Sequence, residues 1–222
     1  VPTKRFQVVA IEPNAFLHNV HDKAMDLHNT WKNTPLGLNC QLSIGLVRVA
    51  NISTCVKISE HLRSSGHFVV SAYHARDLVN RRKYKEMCLD KILSRGTDAW
   101  VEELKTIYPA ISNCTGDIRL VVVATPVEEV GRDHDFDWAI VEPSSMHSII
   151  QTAGRVNRHR CIAIAAGRYN IAILDVNWRE YEQGQRAGAT FRPCFIAPGL
   201  EMVTPSGTTH PQHEMSELLR NR

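Results

Sequence analysis

The segment Arg119-Leu-Val-Val-Val-Ala-Thr125 is apolar almost from end to end. A strand with one wet face alternates apolar and polar residues. A strand that does not alternate must be covered on both faces, as a central strand of a parallel sheet is. SIGLVRVA (43–50), HFVVSAY (67–73), WAIVE (138–142), CIAIAA (161–166) and NIAILDV (170–176) are further strand candidates. Helical spacing fills the intervals: about 14–31, ending at the NTPLG turn, then VKISEHLRSS, with Ser53 or Thr54 as cap and Gly66 as stop, then 78–96, 98–107 and 145–155. Strands alternating with helices of this length predict an α/β domain with a mostly parallel sheet. That domain is expected over 37–176, after a linker or helical lead-in (1–36) and before a C-terminal extension (177–222) with a short helical end, HEMSELLR. In such sheets ligands gather at the carboxyl ends of the strands, here the loops after Ala50, Tyr73 and Ala124.

The 222 residues are 43% hydrophobic and 22% charged, ordinary globular usage. The net charge of +3 excludes a protein that coats nucleic acid through charge alone, so any strand contact must be a local groove. Two basic runs, NRRKYK (80–85) and GRVNRHR (154–160), offer one, although such runs are as often solvated helix faces. No stretch approaches the ~20 apolar residues needed to span a bilayer, and no signal peptide is visible. The chain begins without Met and reads as a piece of a longer protein. Its six cysteines fit no zinc spacing and are expected to be reduced thiols in a cytoplasmic protein.

The loop after the best strand reads ATPVEEVGRDHDFD (124–137). Thr125 closes the strand, and Gly131 and Asp133 follow. Glycine lets backbone approach a phosphate or ribose closely, and Asp133 could accept from a ribose hydroxyl or order a metal-bound water. By itself this pattern also fits an ordinary acidic loop. Farther on, Gln151, Gly154, Arg155 and Arg158 fall at helical spacing and are expected on one helix face. Two guanidinium forks on one face suit a triphosphate. An isolated GRxxR equally describes a basic helix end that balances the helix dipole.

In this order, the two motifs resemble motifs V and VI of superfamily 2 helicases. LVRVANISTCVKISEHL resembles motif IV, and FVVSAYHARDLVNRRKYKEMCLDKIL resembles the segment that follows it, so the likeness runs over about 44–160. The wording V-G-R-D-x-D-F-D and Q-x-A-G-R-x-N-R-H is similar to the CRISPR-associated helicase–nuclease of type I systems. GLVRVANI, FRPCFIAPGLE, His210 and His213 point to subtype I-F.

The resemblance implies the second RecA-like domain of an ATP-dependent DNA helicase that reels target DNA toward degradation. Its implied cofactor is ATP with Mg2+, the metal being held by a first RecA-like domain outside this chain. The implied partners are single-stranded DNA, that first domain and a nuclease domain of the same parent, and the CRISPR surveillance complex, with no membrane. Thr125 and Pro126 would touch the strand backbone, with Tyr73, His74 and Arg76 as further strand contacts. Gly131, Asp133, Gln151 and Gly154 would line the nucleotide. Arg155 and Arg158 would reach its β- and γ-phosphates, Arg158 as the arginine finger. Val130 stands where RNA helicases of this superfamily commonly carry arginine, which favours DNA. A repair or restriction translocase, or a non-catalytic docking module, are the alternatives.

The sequence contains no G-x4-G-K-[ST] and no D-E-x-D or D-E-x-H, so one wall of an ATP site is the most it can supply. The fragment alone is expected to be inactive. HNVHD (18–22) invites a metal-nuclease reading, but a solvated helix face is the expectation. His134 is expected to face solvent or DNA.

Overall fold

The computed structural model describes residues 2–95, 99–129 and 131–184. Six strands, β1 (Phe6–Val9), β2 (Gln41–Arg48), β3 (Val69–Tyr73), β4 (Asp117–Ala124), β5 (Trp138–Val141) and β6 (Ile171–Leu174), make one sheet in the order β1-β6-β5-β2-β4-β3. Every pairing is parallel. Six helices accompany it: α1 (Phe16–Trp31), α2 (Ile52–Ser64), α3 (Val79–Leu93), α4 (Ala99–Ile107), α5 (Met146–Ala153) and α6 (Trp178–Gly184). This is the α/β, RecA-like architecture expected. The apolar run is β4, clasped between β2 and β3 as its composition required.

Residue alternation sorts the core onto the two faces of the sheet. Leu42, Ile44 and Leu46 of β2, with Leu120 and Val122 of β4, meet Leu89, Ile92, Leu104 and Ile149 from α3, α4 and α5. Val47, Val121, Val123, Trp138 and Ile140 meet Phe16, Val20, Leu27, Ile58 and Leu62 from α1 and α2. On this second face Gly45 is required, because a Cβ there would lie 2.2 Å from the Trp138 indole. The indole nitrogen donates to Ser43 Oγ at 3.0 Å, which satisfies its only polar atom.

Several expectations need correction. CIAIAA forms no strand. Cys161 sits at φ 48°, and Asn157 bonds Ile162 through both its amide nitrogen (2.6 Å) and its oxygen (2.9 Å), locking a loop. α2 begins at Ile52 after Asn51, without a side-chain cap, so Ser53 and Thr54 lie inside its first turn. The lead-in contributes β1, which the sequence reading did not see, since FQVV is short and half exposed. The segment after Asp175 contributes α6, whose Trp178 packs edge-on to Phe16 at 5.0 Å. HEMSELLR, FRPCFIAPGLE, His210, His213 and Cys194 lie outside the described residues. The described cysteines are free thiols.

Candidate nucleotide and strand site

The loop that leaves the carboxyl end of β4 and the segment that follows α5 carry the site. At the end of β4, Thr125 N–H donates to the Tyr73 carbonyl at 3.1 Å, and its own carbonyl accepts from Glu128 N–H at 3.1 Å. That bond starts a short 3-10 turn, Pro126–Glu129. Thr125 is buried, while Pro126 faces solvent. Gly131 follows at φ 64° with open space around it, so backbone there is accessible to a ligand.

Arg132 pins this loop to α3, meeting Glu86 at 2.8 Å and Asp90 at 3.2 Å. Tyr73 completes the pin: its hydroxyl donates to Glu86 at 2.8 Å. Burial, and then that carboxylate, push its pKa up to about 12. The Tyr73 side chain is therefore enclosed, with its hydroxyl taken up by Glu86 and Arg132. His74 is half-buried and Arg76 exposed at the same strand end.

The expectation for His134 also fails. It is 1% exposed, with Nδ1 2.5 Å from Glu128 Oε1 and Nε2 2.9 Å from Asp90 Oδ1. Two carboxylates from different elements draw the imidazole inward, and sequence spacing reveals neither.

Ser145 begins α5 by accepting from Ser148 N–H at 3.1 Å. The helix stops at Ala153, with Gly154 as its C-cap. Asn157 then adopts φ 49°, turning the chain away. Gln151, Gly154, Arg155 and Arg158 thus do not share one helix face. Arg155 follows the cap and Arg158 lies on a loop, held by Asp135, which accepts from the backbone N–H of Arg158 (3.0 Å) and of His159 (3.1 Å).

The two arginines live differently. Arg158 is exposed and pairs with Asp133, also exposed, at 2.8 Å. Arg155 is 4% exposed, its Nε 3.8 Å from Glu128. Burial draws its pKa down, and the Glu128 charge opposes that. The fold thus brings the loop after β4 against the segment after α5, with Asp133 on Arg158 and Glu128 beside Arg155.

Three charged groups escaped sequence reasoning. Arg48, at the end of β2, is wholly buried against Glu129, Ser144 and Ser148. Asp137 is locked between Arg95 and Arg160. Glu142 accepts from the backbone N–H of Ala50 (2.6 Å) and of Trp178 (2.7 Å), and its burial pushes its pKa up. The only available signal was a charged residue inside an apolar strand, as in VRV and IVE.

On α1, His18 meets His61 edge-on at 5.0 Å, and His21 bonds Asp22 and His67. Among the described residues no group of three His, Cys, Asp or Glu could hold a metal ion.

Residues 41–161 match the family model of the CRISPR-associated nuclease/helicase Cas3, C-terminal region. The chain belongs to the Cas3 nuclease/helicase family. It is 39% identical over 183 residues to the Cas3 of subtype I-F/YPEST from Pseudomonas aeruginosa (strain UCBPP-PA14), covering 79% of this chain and 16% of the relative. The corresponding Cas3 from Pectobacterium atrosepticum is 34% identical over 216 residues, 93% of this chain and 18% of the relative. The chain therefore spans under a fifth of these relatives, both of the subtype toward which its wording pointed. The structure of T. fusca Cas3 with AMPPNP superposes with a TM-score of 0.55 at 15% identity, over 87% of this chain and 20% of that one. That likeness speaks for the fold. Among the described residues, no helix is long and apolar enough to cross a membrane.

Proposed function

We propose that this domain is the second motor half of an ATP-dependent DNA helicase–nuclease of type I CRISPR interference, acting in the cytoplasm as part of a longer chain. The observation that carries this reading is the meeting of the loop after β4 with the segment after α5, where Asp133 pairs with Arg158 and Glu128 stands beside Arg155.

The residues fit a nucleoside triphosphate. Gly131 leaves backbone open to it, and the Arg155 Nε has no hydrogen-bond partner. The Arg158 side chain is held by an exposed pair with Asp133, worth about 0–1 kcal/mol, which phosphate can displace. Bound ATP supplies the phosphoanhydride whose cleavage drives the cycle. Mg2+ would be held by a first RecA-like domain. Arg155 and Arg158 neutralise charge as it develops on the transferred phosphoryl group. Pro126, His74 and Arg76, in the loops that leave β4 and β3, would follow the strand backbone. Strand contact would then be sequence-tolerant and salt-sensitive. The single strand, the first motor domain, the nuclease domain and the CRISPR surveillance complex are the partners this reading requires.

The test is single-strand-stimulated ATP hydrolysis by the intact parent, wild type against Arg158→Ala. A fall of roughly 10³-fold with the fold intact is expected, the scale of an arginine finger. An unchanged rate would leave Arg158 a structural residue and favour a docking module.

A further inference from the structure

The turn after β4 holds two consecutive carboxylates, Glu128 and Glu129, and each faces a buried arginine. The pairs differ in how completely they are bonded. Arg48 donates from Nε to Glu129 (2.6 Å), from Nη1 to Ser144 (2.6 Å) and from Nη2 to Ser148 (2.6 Å), so all three of its nitrogens have acceptors. It is fixed. Arg155 is nearly as buried, yet its Nε bonds nothing and Glu128 Oε2 bonds nothing. Its Nη1 reaches only the Gln151 carbonyl, at 3.5 Å. The unsatisfied donor, Arg155 Nε, stands 3.8 Å from Glu128 Oε1, and the unsatisfied acceptor, Oε2, is the other oxygen of that same carboxylate. A bond between Nε and Oε2 would satisfy both.

The carboxylate itself is braced. His134 holds Glu128 Oε1 through Nδ1 and meets Asp90 of α3 through Nε2. The second oxygen remains for Arg155.

We infer that Glu128 is the positioning residue for Arg155 and that His134 braces it. This rests on the reading that Arg155 meets nucleotide phosphate. A carboxylate on the Nε edge leaves the Nη edge, held only by a long 3.5 Å contact to the Gln151 carbonyl, for phosphate oxygens. Orientation fixed before binding is not lost at the transition state, so the benefit falls on turnover more than on affinity. Glu128 does not touch the nucleotide.

The experiment compares Glu128→Gln, Arg155→Ala and the double variant in the intact parent at saturating single strand. Glutamine keeps the volume and an acceptor for His134 but loses the charge. Glu128→Gln is expected to lower kcat roughly 10- to 100-fold, the scale of a misplaced group, with the KM for ATP moving less than about threefold. In the Arg155→Ala background the same change is expected to have no further effect. A normal kcat in Glu128→Gln beside a crippled Arg155→Ala overturns the positioning role and leaves the motor reading standing. Slowing that multiplies in the double variant also overturns it, since the damage then bypasses Arg155. Full activity in Arg155→Ala overturns both.

Discussion

Asp137 accepts from Ile44 N–H at 2.6 Å and from Arg95 at 2.8 Å, and Arg160 closes on it from the other side. Burial alone would push this carboxyl up, but Arg95 and Arg160 hold it below the usual carboxylate range. Asp135, buried as well, is lowered chiefly by Arg160. A depressed folded pKa contributes stability that is fully present above the unfolded value of about 3.9 and is lost as pH falls below it. Urea unfolding followed from pH 6 to pH 3 should therefore weaken steeply below about pH 4. Asp137→Asn should flatten that slope and cost roughly 3–5 kcal/mol at pH 7, because buried Arg95 keeps its charge without its carboxylate and Arg160 is left with Asp135 alone. A wild-type slope in the variant would place the acid sensitivity elsewhere. In the sequence, DHDFD and RHR read as an acidic loop and a basic run, and nothing showed that they pair. They meet because the pairing of β5 with β2 seats Asp137 beside Ile44, midway along β2, where Arg95 and Arg160 reach it, a tertiary fact. His134 was misplaced for the same reason: its burial is decided by Glu128 and Asp90, which no local pattern connects.

α5 was legible in existence and in start, because a serine before an apolar periodic run is a strong beginning. Its end was read too late, since asparagine at position 157 enters the left-handed region that few other residues tolerate. The error has a chemical meaning: Arg155 and Arg158 stand on separate backbone segments and can respond separately to a ligand. Ser145→Ala removes the cap and should cost about 1 kcal/mol in urea denaturation. Gly45→Ala should cost more than the cap, because the added methyl meets the Trp138 ring in a packed core, where overpacking costs about 1–3 kcal/mol. CIAIAA misled because apolar alternation is the signature of a strand, yet only Ile164 of its isoleucines is buried and the side chain of Asn157 occupies the backbone groups.

At the scale of the molecule, the α/β class and parallel sheet followed from the unbroken apolar run, but the strand order did not. Alternation says that strands are parallel, not which are neighbours, and β1 had too few apolar residues to announce itself. β1 hydrogen-bonds only β6 within the sheet, so deleting residues 1–11 uncovers the backbone edge of β6. Light scattering should show concentration-dependent association of that variant, and its urea midpoint should fall. A monomer with an unchanged midpoint would mean that β1 adds nothing to the sheet.

The position of β1 also orders events in time. Arg5 beside it bonds Asn170, 165 positions along the chain. At roughly 5–20 residues per second, β1 waits on the order of ten seconds at the ribosome for β6. The sheet is therefore completed toward its β1 edge, and the first of these six strands to be made is the last to be paired.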